Sequence, residues 1–284
     1  MSSPDLASSS LFNVKDKIVL VTGGGSGIGK MMAAGFAQNG AKVYIAARKE
    51  KQLQEAVRDI QATAKGDVGY IVANISSKAG CDALISEFKK RESKLHVLVN
   101  NSGVTWGAPF DDFPEEKGWD NIFNVNVKSI FYMTVGLANL LADGATSMDP
   151  GRVINISSTA SVEPHVEGPL SQNGSGTWSY QPSKAAANHL TSVLATKLAP
   201  RQVTVNAILP GVFPSKMTAF AFSTIGEEGF STVQPTGRVG RPQDIAGVAL
   251  FLASPASAHV TGAHIIVDGA ARFASSRIAA ATKL

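Results

Sequence analysis

Short runs that are apolar throughout alternate along the chain with longer stretches in which apolar positions recur at helical spacing. Residues 17–22, 42–47, 68–73, 96–100, 152–157, 203–209 and 264–267 read as strands. Between them, 28–39, 50–63, 78–91, 119–141, 179–199 and 242–253 read as helices. Strands that are apolar on both faces and separated by helices imply a parallel sheet covered on both sides. The pattern therefore predicts an α/β fold: a doubly wound, mostly parallel, seven-stranded sheet. No repeat and no dividing linker interrupts it, so residues 1–284 read as one domain with a flexible start (1–13) and a C-terminal tail (271–284). Two segments break the rhythm. Residues 163–176 are rich in Gly, Pro, Ser and Asn, and residues 213–233 carry four phenylalanines. Long excursions from a compact core are often binding loops or lids, or surface insertions that pack on their own aromatics.

The turn after the first strand is Thr22-Gly23-Gly24-Gly25-Ser26-Gly27-Ile28-Gly29. It sits after a strand and opens a helix, where a phosphate site needs it. Glycines let the backbone approach a pyrophosphate, and the helix start offers free N–H groups and a positive dipole end. The residue ending the second strand then selects the dinucleotide. An acid there would hold a ribose 2′-hydroxyl, whereas an arginine suits a 2′-phosphate. This chain has Ala46-Ala47-Arg48-Lys49 and no acid, which favours NADPH/NADP+ with Arg48 on the phosphate. The alternative is that Arg48 simply opens a solvated helix.

Tyr180 and Lys184 stand four apart on a helix and so share a face. A lysine ammonium beside a phenol favours the phenolate, and Ser158 ends the strand upstream. With a nucleotide on the glycine turn, that set suggests proton transfer coupled to hydride transfer.

Charge and cysteine usage narrow the picture by exclusion. The net charge of +4 is scattered, without a basic block, so nucleic-acid binding is not indicated. Cys81 is the only cysteine, which rules out an internal disulfide and a cysteine-based metal site. The five histidines lack metal-site spacing, and no metal is expected. The first ten residues lack the features of a secretion signal, and no run of 18 apolar residues occurs, so a cytoplasmic protein without a membrane span is expected. The terminal Thr282-Lys283-Leu284 differs by one residue from a peroxisomal address and reads as an ordinary tail.

Several motifs in order resemble the short-chain dehydrogenase/reductase family, in its single-domain branch, from about residue 14 to residue 270. They are the glycine turn, Asn100-Asn101-Ser102-Gly103, Asn126, Ser158, Tyr180 with Lys184, and Pro210-Gly211 followed by Ser215. The resemblance implies a Rossmann fold. It implies that Tyr180 acts as general acid in carbonyl reduction, since a free phenol with a pKa of about 10 must be made more acidic by Lys184 and an oxidised nicotinamide. Ser158 would bond the substrate oxygen, Lys184 the nicotinamide ribose, and Asn126 a relay water. Thr22, Gly23, Gly25, Ser26, Gly27, Ile28, Gly29, Arg48, Asn74, Asn101, Ser102, Gly103, Tyr180, Lys184, Pro210, Gly211, Val212 and Ser215 would contact the cofactor, Val212 through its backbone to the carboxamide. Departures are Asn74 where many relatives have Asp, Ser102 for Ala, Ala270 for Gly, and a longer Ser158-to-Tyr180 segment. The pattern most resembles 3-oxoacyl-thioester reductases and related secondary-metabolism ketoreductases. An apolar lid from Phe213 to Phe230 with Met217, and Trp106, His165 and Trp178, would wall a pocket for an acyl chain or polyketide. An NAD-dependent alcohol or polyol dehydrogenase, or an idle cofactor-binding sensor or scaffold, are the alternatives. A homo-oligomer, tetramer or dimer, is expected by resemblance.

Overall fold

Alternation along the strands builds two cores from one sheet in the computed structural model, which describes residues 5–167, 174–232 and 234–274. The strands are β1 (Ile18–Thr22), β2 (Lys42–Ala47), β3 (Val68–Val72), β4 (Val97–Asn100), β5 (Gly151–Ile156), β6 (Val203–Pro210) and β7 (His264–Val267). The helices are α1 (Gly27–Gln38), α2 (Glu50–Gln61), α3 (Lys78–Lys89), α4 (Glu115–Ala142), α5 (Tyr180–Leu198), α6 (Ala219–Ser231) and α7 (Pro242–Ala253). Successive strand side chains point to opposite faces. Val19, Val21, Val43, Ile45, Val97 and Val99 pack with Met32, Phe36, Leu53, Ile60 and Leu252 of α1, α2 and α7. Leu20, Tyr44, Leu98, Val153 and Val205 pack with Phe88, Met133, Leu137 and Leu194 of α3, α4 and α5.

All seven strands are parallel, in the order β3-β2-β1-β4-β5-β6-β7. The chain leaves β1 in one direction for β2 and β3, then crosses back to β4 on its other side. The connections therefore diverge at the carboxyl ends of β1 and β4, and that divergence opens a crevice for a ligand.

The strands lie within a residue of their expected bounds; the larger differences are helical. Helix α4 starts at Glu115, upstream of the expected 119, because Pro114 sets an extended entry and the polar Glu115–Asp120 stretch winds as a π-helix. A second π-helical stretch spans Asn124–Lys128. By length and composition α4 could cross a membrane, but half of its apolar window is buried within the fold, where Ile130, Met133, Leu137 and Leu141 join the core. The 213–233 excursion contains a helix, α6, broken at Gly226, whose φ of 69° suits glycine. Ser8–Leu11, in the stretch expected to be flexible, form one helical turn.

The amino ends of the strands carry a paired ionic cluster. Lys17 Nζ meets Asp149 at 2.7 Å, and Arg152, 1% exposed, donates to Asp149 at 2.7 Å and to the Ser254 carbonyl at 2.9 Å. His96 Nδ1 accepts from the Ile18 N–H at 2.9 Å. Burial, with Lys17 and Lys94 nearby, pushes the His96 pKa down to about 4. An imidazole that accepts a backbone N–H through Nδ1 is in its neutral form.

Candidate active site

The glycine turn and the β4 turn are laced together. Thr22 Oγ1 accepts from the Asn101 and Ser102 N–H groups at 3.0 and 3.1 Å, and Asn101 Nδ2 donates to the Thr22 and Gly23 carbonyls at 3.0 and 3.2 Å. A Cβ on Gly29 would lie 2.3 Å from Asn101 Nδ2 and 2.5 Å from the Gly23 carbonyl oxygen, so this close approach requires glycine. Ser26 precedes α1 without a side-chain cap, which leaves the N–H groups of the first turn to an incoming anion. Across from the turn, Ser215 Cβ lies 3.1 Å from where a Cβ on Gly27 would sit. Arg48, just beyond β2, is exposed, and among the described residues no hydrogen bond or ion pair occupies its guanidinium. Asn74 is exposed beyond β3, and its Oδ1 already accepts from the Ser76 N–H at 3.3 Å. Pro210 ends β6 and Gly211 follows it, with the Gly211 N–H donating to the Val267 carbonyl at 2.9 Å. The Val212 carbonyl accepts from Gly240 N–H at 3.0 Å, which leaves the Val212 N–H as its group for a ligand. The bare helix start, the glycine cradle and the free guanidinium fit a 2′-phosphorylated dinucleotide.

Tyr180, Lys184 and Ser158 meet above β5. Tyr180 opens α5 and is half-buried, with the Lys184 Nζ 5.7 Å from its ring centroid. Lys184 is 3% exposed and donates to the Ile156 carbonyl at 2.9 Å. An ammonium has three donors, so two remain. Burial pulls the Lys184 pKa down to about 8. Burial also raises the Tyr180 pKa, while the hydrogen bond with Ser158 pulls it back. In the protein alone burial outweighs the Ser158 hydrogen bond and the net shift is upward, against the sharpening expected from Lys184. Asn126, fully buried in the second π-helical stretch, accepts from the Val104 N–H and donates to the Val104 carbonyl, both at 2.9 Å, and donates to Ser183 Oγ at 3.0 Å. Its amide therefore braces the 104 segment against α5, and only one Oδ1 lone pair is left for a water. A Cβ on Gly103 would lie 3.3 Å from Lys184 Nζ and 3.5 Å from Asn126 Oδ1, so the glycine keeps those two groups reachable.

The substrate side is built from loops. An isolated antiparallel bridge joins Ala108 to Gly176, Trp178 Nε1 donates to the Ala108 carbonyl at 3.0 Å, and Phe110 packs edge-on to Trp178 at 4.9 Å. Trp106 and Met217 are 39% and 45% exposed. His165 is exposed, and its carbonyl accepts from Gln181 Nε2 at 3.0 Å. The long loop expected at 163–176 includes residues 168–173, outside the described ones.

Phe213 corrects the expected pocket. It is 2% exposed and belongs to the core, its ring filling the space over Gly240, where a Cβ would come within 2.4 Å of Phe213 Cζ. An aromatic next to a Pro-Gly turn looked like a lid residue, but the missing side chain of Gly240 makes a socket for it. Phe222 and Phe230 likewise stack on each other at 5.0 Å, beside Val212 and Val239. Single-sequence reading also missed a buried amide ladder below the site. Asn100 Nδ2 donates to Asn155 Oδ1 and Asn155 Nδ2 to Thr191 Oγ1, both at 2.9 Å. The available signal was polar residues at strand positions otherwise wholly apolar. Thr218 Oγ1, also missed, donates to the Phe213 carbonyl at 2.8 Å and accepts from Ser215 N–H at 2.9 Å, so it closes the turn carrying Ser215. Among the described residues no group of three His, Cys, Asp or Glu side chains is placed to hold a metal ion.

A doubly wound parallel sheet with a glycine cradle at its switch point and a Tyr-Lys-Ser set beside it defines a dinucleotide-dependent oxidoreductase. The family model described as enoyl-(acyl carrier protein) reductase matches residues 23–270. The chain is 38% identical to a rhamnolipids biosynthesis 3-oxoacyl-(acyl-carrier-protein) reductase of Pseudomonas aeruginosa, over 91% of this chain and 97% of that protein. It is 33% identical to an NAD-dependent glycerol dehydrogenase of Listeria innocua, over 91% of this chain and 94% of that protein. Among solved structures, the Pseudomonas aeruginosa RhlG/NADP active-site complex superposes with a TM-score of 0.83 at 38% identity, over 91% of this chain and 97% of that one. The chain belongs to the short-chain dehydrogenase/reductase family.

Proposed function

We propose that this protein reduces a ketone to a secondary alcohol with NADPH, and that the ketone is a 3-oxoacyl thioester or a bulky polyketide-type carbonyl. The observation that carries this reading is Tyr180, held half-buried between Ser158 and the Lys184 ammonium at the end of the sheet where the glycine turn opens. NADPH is favoured over NADH by the free Arg48 guanidinium and the lack of an acid at the end of β2. The Pseudomonas aeruginosa relatives, a 3-oxoacyl reductase and an NADP complex, support the same pairing. The exposed apolar side chains of Trp106, Phe110 and Met217 suit an apolar substrate tail.

NADPH would lie along the glycine turn, with its 2′-phosphate on Arg48 and its carboxamide on the Val212 N–H, and it supplies the hydride. The chain's own residues manage the charge and the proton. Ser158 Oγ donates a hydrogen bond to the carbonyl oxygen and steadies it as it turns into an alkoxide. Tyr180 gives its hydroxyl proton to that oxygen. A phenol whose pKa is raised by burial stays protonated at neutral pH, and it gives the proton up only as the charges beside it stabilise the phenolate. Lys184, charged below about pH 8, stabilises the phenolate left behind and uses its remaining N–H groups on the nicotinamide ribose. Exposed Phe131, Val135 and Val193 on α4 and α5 support a homo-oligomer.

Turnover is measured by loss of NADPH absorbance with an acetoacetyl thioester and a panel of bulky ketones, and in reverse with polyols and NAD+. NADPH-dependent reduction of a thioester or bulky ketone is expected. Polyol oxidation with NAD+ and no ketone reduction would overturn the reading.

A further inference from the structure

Tyr180 and Lys184 lie on one face of α5, and the next residue along that face is Asn188. Asn188 is 8% exposed. Its Nδ2 donates to Ser161 Oγ at 2.7 Å, and Ser161 Oγ donates to the Ser158 carbonyl at 2.6 Å. The one hydroxyl proton of Ser161 goes to Ser158, so Asn188 must present an N–H. Its other amide atom, Oδ1, is buried with no hydrogen-bond partner.

Several hydrogen bonds tie α5 to the end of β5 and the turn beyond it, Asn155 to Thr191 among them. Lys184 Nζ holds the Ile156 carbonyl at 2.9 Å, and Ser157 Oγ donates to the Lys184 carbonyl at 3.0 Å. Both stop short of Ser158. Ser158 itself begins a single 3-10 turn, Thr159–Ser161, whose hydrogen bonds are local: Ser158 Oγ accepts from Ala160 N–H at 3.1 Å and the Ser158 carbonyl from Ser161 N–H at 3.0 Å. A turn whose backbone hydrogen bonds are all local can shift as a unit against α5 unless side chains hold it. Besides the hydrogen bond between the Tyr180 and Ser158 side chains themselves, the link from Asn188 through Ser161 to the Ser158 carbonyl is the one that fixes the backbone of that turn to the helix carrying Tyr180. A leucine would fill the site of Asn188 without leaving a buried oxygen unpaired. An amide kept there at the cost of an unsatisfied acceptor marks a local conflict of the kind found at functional sites.

We propose that Asn188 is a positioning residue for the reaction: through Ser161 it sets the distance and angle of the Ser158 hydroxyl relative to Tyr180. The inference rests on the ketone-reductase reading. It touches neither the glycine turn nor Arg48, so it separates chemistry from cofactor binding.

The test compares Asn188→Leu, Ser161→Ala, Ser161→Thr and the double variant with wild type. Tyr180→Phe reports on the underlying reading. Steady-state ketone reduction gives kcat and KM, fluorescence titration gives the NADPH Kd, and thermal denaturation gives Tm. In Asn188→Leu and Ser161→Ala, kcat falls about ten- to a hundredfold, the scale on which a small misplacement of a reacting group acts. The NADPH Kd and Tm stay at wild-type values. The double variant is no slower than either single one, because both break the same link. Ser161→Thr, which keeps the hydroxyl, restores the rate. The pH profile of kcat moves to higher pH, since a displaced Ser158 no longer lowers the Tyr180 pKa. Wild-type kcat in both single variants, with Tyr180→Phe inactive, overturns the inference alone. So does a parallel fall of kcat, cofactor affinity and Tm, which marks a structural role. If Asn188→Leu does not fold, Ser161→Ala decides by the same criteria. Wild-type turnover by Tyr180→Phe overturns the reductase reading instead.

Discussion

The two ends of the same sheet use buried polar groups in opposite ways. At the amino ends, Lys17, Asp149, Arg152 and His96 bond one another or nearby backbone, and among their buried side-chain atoms only Arg152 Nε lacks a partner. At the carboxyl ends, Arg48 has no partner among the described residues, Lys184 uses one of its three donors, and the first turn of α1 has no side-chain cap. A buried charge paired within the protein is a structural fixture. A buried or cleft-side charge with open bonding capacity is a place for a ligand. The strands carry both sets, so one end holds the sheet in register while the other presents it.

The largest expected effect falls at the carboxyl end. Tyr180→Phe removes the proton donor and lowers kcat for ketone reduction by about 10²–10⁴, the range for a positioned general acid. The NADPH Kd and Tm stay close to wild type. At the other end the effects reverse. Asp149→Asn leaves Arg152 and Lys17 without their carboxylate and costs about 3 kcal/mol of stability in chemical denaturation, the low end for breaking a buried pair because Asp149 is half-exposed. The folded fraction of that variant keeps wild-type kcat. An Asp149→Asn protein with normal stability but slow turnover would erase the distinction between the two ends.

Arg48→Asp sharpens the comparison, since a guanidinium with no partner can be removed without a structural penalty. It should weaken NADPH binding about ten- to a hundredfold, the worth of one charge-assisted hydrogen bond, and bring NADH to comparable affinity, as read by titration with both cofactors. The smallest effect is a pH dependence at the amino end. The His96 pKa is about 4 in the fold against an ordinary 6.5, so between those values the unfolded chain takes up a proton that the folded one refuses. The stability tied to neutral His96 is complete above about pH 6.5 and is lost as pH falls towards 4. Asp149, held below the ordinary carboxylate range by Lys17 and Arg152 despite its burial, contributes at lower pH still. Thermal denaturation from pH 7 to 4.5 should show a decline that His96→Asn, which keeps an acceptor for Ile18 N–H, flattens.

The same contrast explains what the sequence made legible. The strands, the cradle and the Tyr180, Lys184 and Ser158 cluster followed from short-range rules: apolar runs, glycines where the backbone must approach closely, and a four-residue helix spacing. Phe213 did not, because its place depends on Gly240, distant in the chain, leaving a socket. The π-helical windings of α4 and the break of α6 at Gly226 have no periodic signature. Asn188, Ser161 and Thr218 were unreadable for another reason: polar residues on a helix or in a loop read as solvated until the fold shows them bonded inside.

The central claim is that Tyr180, Ser158 and Lys184 face a ketone beside the reactive ring of a 2′-phosphorylated dinucleotide. A crystal structure of the protein with NADP+ and an alcohol product tests it most directly. The account predicts the 2′-phosphate on Arg48 and the alcohol oxygen within about 3 Å of both the Tyr180 and Ser158 hydroxyls. A Tyr180 hydroxyl turned to bulk solvent, with the nicotinamide ring lying elsewhere, would contradict it.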